Sequence, residues 1–114
     1  MKQVQVKRQA DGLFVAERCA VSDTVLTRLV GLMGRSGMAG GEGMWIEPCN
    51  AIHTFFMKFP IDVVYMDRQG TIVDVCRAVA PWRMHWPRRH ARAVLELPSG
   101  GAAALRTGDR LCIS

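Results

Sequence analysis

No C-x-x-C pair links the four cysteines of this chain, Cys19, Cys49, Cys76 and Cys112. Their wide spacing excludes a zinc ribbon and a thioredoxin-type redox motif. Two sit among apolar neighbours, Val73-Asp74-Val75-Cys76 and Leu111-Cys112-Ile113. The thiols therefore read as reduced, buried small hydrophobes. Close ligand pairs are lacking too. Cys49-x-x-x-His53 and His85-x-x-x-x-His90 are loose for a tetrahedral zinc site, so neither a metal nor a cofactor is expected. No run approaches the ~18 apolar residues that span a bilayer. The opening Met1-Lys2-Gln3-Val4-Gln5-Val6-Lys7-Arg8 lacks the apolar segment of a secretory signal. The expectation is a cytoplasmic protein with no membrane partner. Four glycines fall within Arg35–Gly43, yet no Gly-Lys-Ser/Thr follows, so this stretch is a connector and not a P-loop. Repeats and low-complexity tracts are absent.

What is present suits one globular unit. Hydrophobic residues make up 49% and charged residues 22% of 114, enough for one domain over 1–114 with its own core. At this size, folding removes roughly two-thirds of the surface of the unfolded chain. The net charge of +5 is concentrated. Pro81-Trp82-Arg83-Met84-His85-Trp86-Pro87-Arg88-Arg89-His90-Ala91-Arg92 holds four arginines, two histidines and no acid, and the rest of the chain is nearly balanced.

Period-two alternation in Gln3–Lys7 marks a half-buried strand. Asp11-Gly12 supplies a turn, and Leu13–Ala20 returns as a second strand. Ser22 is a candidate N-cap, and Asp23 favours the helix dipole. Val25, Leu26, Leu29, Val30 and Met33 then form one apolar stripe, predicting an amphipathic helix over 23–33. Met44–Ile46 reads as a short strand. Ile61–Met66 is nearly all apolar, as a central strand covered on both faces would be. Asp67-Arg68-Gln69-Gly70 turns it into Thr71–Val79 as an antiparallel hairpin. Ala93–Leu97 and Asp109–Ile113 read as strands, with one helical turn at Ala102–Arg106. The sum is an α+β, mainly β domain: an antiparallel, curled or barrel-like sheet of about seven short strands with one amphipathic helix.

Several phrases occur together in order. They are Arg28-Leu29-Val30-Gly31-Leu32-Met33-Gly34-Arg35, Gly43-Met44-Trp45-Ile46, Ile52-His53-Thr54-Phe55-Phe56-Met57, Phe59-Pro60-Ile61-Asp62-Val63-Val64-Tyr65-Met66-Asp67, Val94-Leu95-Glu96-Leu97-Pro98-Ser99-Gly100 and Gly108-Asp109. In this combination, from about Ala16 to Ile113, the chain resembles the domain-of-unknown-function 192 family of small bacterial and archaeal proteins. The resemblance implies a compact β-rich α+β domain and carries no activity with it.

The most site-like segment is 48–62, where Cys, Asn, His, Thr and Asp stand among large apolar residues. Buried polar groups must find partners, in a binding cleft or in the backbone. The first reading is a binding module with a pocket near residues 50–62, formed by Asn50, His53, Thr54, Met57 and Asp62 and bordered by Trp82, for a small molecule or extended peptide. The second is an enzyme using His53 with Asp62 or Cys49 as acid, base or nucleophile. Asp62 has a further reading, as a buried carboxylate tying down the preceding loop by accepting backbone N–H bonds. The third functional reading is anionic-polymer binding, nucleic acid included, by the basic loop 81–92. There Arg83, Arg88, Arg89 and Arg92 would take phosphates and the tryptophans would stack on bases.

Overall fold

The computed structural model describes residues 2–22, 32 and 35–114. Seven strands run in chain order: β1 (Lys2–Arg8), β2 (Phe14–Ser22), β3 (Glu42–Ile46), β4 (Ile61–Met66), β5 (Ile72–Val79), β6 (Ala93–Pro98) and β7 (Leu111–Ile113). They form one curled, half-barrel sheet in the order β5-β4-β6-β3-β2-β1-β7. Both expected hairpins are present. β1 pairs with β2 around Gly12, whose φ is +71°, and β4 pairs with β5 around Gly70.

The sheet is mixed, which corrects the expectation of a purely antiparallel one. β2 and β3 run parallel, with Arg18 opposite Glu42 and Ser22 opposite Ile46. Parallel neighbours need a crossover connection, and the intervening segment supplies its length. The helix expected over 23–33 lies outside the described residues except for Leu32, which is helical and buried. Ser22, expected as its cap, is the buried last residue of β2. Ala102–Ala104 are turns, not a helix.

Alternation along the central strands sorts side chains onto two buried faces. All six residues of β4 are buried. Val64 and Met66 enter an inner core with Val6, Trp45, Leu95, Leu97, Leu105 and Leu111. Ile61, Val63 and Tyr65 enter an outer core with Met44, Ile46 and Val94, which Ile52, Met57 and Phe59 cover from the segment before β4. The inner core is sealed by the 99–105 turns, which insert Ala102 and Leu105.

The two outermost strands meet at one corner. Thr71 bridges Arg110, Ile72 N–H donates to Asp109 C=O at 2.8 Å, and Leu111 N–H donates to Gly70 C=O at 2.9 Å. Gly70 is required there twice over. Its φ is +82°, and a Cβ would stand 2.5 Å from the Leu111 carbonyl oxygen. No helix among the described residues is long and apolar enough to cross a membrane.

Candidate binding surface

Two segments outside the sheet, 49–58 and 80–92, zip together over the outer core. Cys49 N–H donates to Arg92 C=O, Arg88 N–H to Asn50 C=O, His85 N–H to Ile52 C=O, Thr54 N–H to Arg83 C=O and Trp82 N–H to Thr54 C=O, at 2.8 to 3.0 Å. His53 forms an antiparallel bridge with Met84. The result is an irregular ribbon whose inner side is apolar (Ile52, Met57) and whose outer side faces water.

Thr54 fastens the ribbon near its tip. It is fully buried, its hydroxyl donates to Ala80 C=O at 2.7 Å, and the same oxygen accepts from Arg83 N–H at 2.8 Å. Met57 is core. Asn50 is exposed and His53 half-buried. Asp62 does not join them. Its parity on β4 is that of Val64 and Met66, on the opposite face from Ile52 and Met57. Its Oδ1 accepts from Ala78 N–H at 2.8 Å, and its Oδ2 from Gly100 and Ala102 N–H at 3.1 and 2.9 Å. The structure thus brings Asn50, His53, Thr54, Met57 and Trp82 into one ribbon and sets Asp62 apart as a tie for the 99–102 turn. The Cys49 thiol donates to Ala51 C=O at 3.0 Å. The depression nearest the expected pocket, lined by Pro48, Cys49, Asn50, Ala91 and Arg92, measures about 260 Å³, below the roughly 300–1,000 Å³ usual for a small-molecule site.

Beneath the ribbon lies a polar cluster that sequence reasoning missed. Arg88 points inward instead of toward solvent. Its Nε donates to Asp74 Oδ2 at 3.0 Å, its Nη1 to Trp86 C=O at 2.7 Å and its Nη2 to Cys76 Sγ at 3.2 Å. Its guanidinium lies 4.6 Å from the Tyr65 ring centre. The Tyr65 hydroxyl stands 2.8 Å from His85 Nδ1. Burial raises the phenol pKa, while burial and then the Arg88 charge lower that of His85. A protonated phenol and a neutral imidazole follow, and we assign the shared proton to the phenol. Burial, with Asp74 adding to it, also raises the Cys76 pKa, which keeps this thiol protonated. Period two on β4 and β5 could have grouped Val63, Tyr65, Asp74 and Cys76. Nothing local announces that Arg88 and His85 descend onto them.

The outward side of the ribbon is aromatic and cationic. Phe56, Trp82, Met84 and Trp86 are 59%, 55%, 68% and 83% exposed. Phe56 and Trp82 meet edge-on at 4.7 Å, Phe55 stacks toward Trp82 at 6.2 Å, and His53 stacks on Phe55 at 5.0 Å. Phe56 and Trp82 both hold left-handed backbone, at φ 65° and 64°, which costs a bulky residue of order 1 kcal/mol or more. Here that strain presents rings to water instead of burying them. Lys58, Arg83, Arg89 and Arg92 are exposed alongside; Arg92 lies 4.0 Å from Glu47. No Asp or Glu occurs between Pro48 and Ile61 or between Val79 and Leu95.

Cys19 is buried, with its pKa pushed up to about 12 by burial. Cys49 and Cys76 are half-buried and Cys112 is exposed, which corrects the expectation for Cys112.

Fold and surface together define a class: small curled-sheet domains that carry a two-segment ribbon over the outer face of the sheet. Within that class, this chain belongs to the DUF192 family, described as Uncharacterized ACR, whose model matches residues 5–113. It is 34% identical to a UPF0127 protein of Pyrococcus abyssi over 80% of this chain and 81% of that one. A Pyrococcus horikoshii relative is 31% identical over 80% and 83%. Two solved structures share the fold. One is a proposed transcription regulator of Sinorhizobium meliloti 1021, at TM-score 0.82 and 24% identity over 98% of this chain and 94% of that one. The other is a protein of unknown function from Novosphingobium aromaticivorans, at 0.79 and 21% over 96% and 83%. At these identities the likeness is one of fold alone.

Proposed function

We propose that this domain is a binding module for an anionic polymer, held on the outward side of the ribbon formed by residues 49–58 and 82–92. The observation that carries the reading is the charge of that ribbon. Its two segments are free of acids, and Lys58, Arg83, Arg89 and Arg92 are exposed beside unburied rings. An enclosed pocket is not needed for such a ligand, and the shallow depression at Cys49 accords with a broad contact.

Arg88, also a candidate for anion contact, has its donors committed to Asp74, Cys76 and Trp86. The exposed Arg83 and Arg89 are therefore the residues to remove. Binding to heparin should weaken with salt. At the roughly 0.7–0.9 per neutralised charge known for nucleic acids, the four cations Lys58, Arg83, Arg89 and Arg92 give a slope of log affinity against log salt of about −3 to −4. Arg83→Ala with Arg89→Ala leaves Lys58 and Arg92 and should leave a slope of about −1 to −2. Heparin affinity that ignores salt, or that survives the double variant unchanged, would sink the proposal.

A further inference from the structure

We infer that the polymer is a single-stranded nucleic acid, whose bases stack on Trp82, Trp86 and Phe56. The inference rests on the polyanion reading above and narrows it. A surface serving charge alone, as for a sulfated polysaccharide, needs cations and no rings. This one interleaves the two. Along 82–86 the order is Trp82, Arg83, Met84, His85, Trp86, and Phe56 stands edge-on against Trp82 across the ribbon.

Three observations point to stacking. The rings are more than half exposed, and Trp82 keeps that exposure although Phe55 and Phe56 pack against it. They are prepositioned: Phe56 and Trp82 sit at left-handed φ, and Trp82 is held by its N–H on Thr54 C=O at 2.9 Å. Thr54 is itself fixed from inside through its hydroxyl. The neighbouring cations, Arg83 and Lys58, are exposed and free of acids on their own segments. Stacking platforms set along a positive track are how sequence-tolerant single-strand binding works. A duplex keeps its bases inside the stack and offers these rings nothing to cover.

The test uses the full chain and its own fluorescence. Trp45 is buried, with its indole N–H on Glu47 at 3.0 Å, and serves as a constant background. Trp82 and Trp86 are the reporters. The probes are an oligothymidylate, an abasic oligomer of equal length and charge, the corresponding duplex, heparin, and phosphatidylserine vesicles. Oligothymidylate should quench tryptophan emission and bind about a hundredfold tighter than the abasic oligomer, two base–ring stacks at about tenfold each. Trp86→Ala and Trp82→Ala should each remove about tenfold, and Trp82→Phe should restore most of it. Both rings are exposed, and an unchanged melting temperature shows each variant folded.

Equal affinity for abasic and base-bearing strands, without quenching, overturns the stacking inference and leaves the polyanion reading intact. Tighter binding of the vesicles than of the oligothymidylate overturns it in favour of a lipid surface. Failure of heparin and every oligomer to bind removes both readings together.

Discussion

Asp62 and Arg88 are charged side chains whose partners are all internal. Asp62 is 1% exposed and accepts three backbone N–H groups, two of them from the turns that plug the inner core. Asp62→Ala leaves those donors unanswered. At about 1–3 kcal/mol for each charge-assisted bond or stranded group, the loss should reach about 3 kcal/mol. Urea denaturation should show a lower midpoint at an unchanged slope. Asp62→Asn, which keeps one acceptor oxygen, should lose less. Equal midpoints for wild type and Asp62→Ala would exclude the tie. His85 gives a prediction with a sign. Its pKa is lowered in the folded state, first by burial and then by Arg88. As pH falls past about 6.5, the unfolded chain takes up a proton that the folded protein refuses. Stability should therefore decline from about pH 7 toward pH 5, down to the folded value. His85→Gln keeps an acceptor for the Tyr65 phenol, and its stability curve over that range should be flatter than wild type. A variant curve parallel to wild type would remove His85 from the effect.

At the scale of elements, the ribbon depends on ties that run inward. Arg88→Ala should cost about 1–2 kcal/mol, because it uncovers the Tyr65 ring and frees the Trp86 carbonyl, with a discount for the partly exposed Asp74 pair. Arg89→Ala, on the exposed side, should stay within about 0.5 kcal/mol. Thermal melts of the two variants read the difference, and equal losses would contradict the inward role of Arg88. The hairpins were legible in the sequence because Asp11-Gly12 and Asp67–Gly70 combine turn chemistry with flanking alternation. The parallel partnership of β2 with β3 was not, since alternation reports which face is buried and says nothing of which strand lies alongside. The ribbon escaped for a related reason. Its hydrogen bonds fall singly, between residues 28 to 43 positions apart in the sequence, and leave no periodic trace. Asp62 was legible as a buried acid accepting backbone N–H bonds, but these come from Ala78, Gly100 and Ala102 and not from the preceding loop, and its separation from His53 appears only once the two faces of β4 are assigned. The aromatic and basic residues could be read directly; what the fold added was the exposure of Phe56, Trp82, Trp86, Arg83, Arg89 and Arg92 and the inward turn of Arg88.

For the molecule as a whole, the closing corner adjoins one end of the ribbon: His90 shares a shallow depression with Asp67, Arg68 and Gln69, and Arg92 N–H donates to Met66 C=O at 2.6 Å. The acid-free segments sit over the outer core. The closing corner, with Thr71 bridging Arg110, lies where the β4–β5 turn meets β7. Gly70→Ala should damage stability and spare the other end of the ribbon, which Thr54 ties to Ala80, Trp82 and Arg83. The added Cβ would have to displace the Leu111 carbonyl from 2.5 Å while adopting φ +82°, at a cost of about 1–3 kcal/mol. A midpoint shift of that size, with heparin binding at low temperature unchanged, is the expected pair of results. A shift without retained binding would mean that corner and ribbon are coupled.

The pairing of β1 with β7 sets Val6 against Ile113 and Gln5 against Ser114, almost the greatest separation this chain allows. Contacts of such range form late, after the loop between them has paid its closure entropy. Until the 111–113 segment docks, the outer rim of β1 over Val6–Arg8 has no neighbour and bares its N–H and C=O groups to any passing strand. A partly folded molecule is thus most open to association with its own copies before β7 docks and covers Val6–Arg8 of that rim.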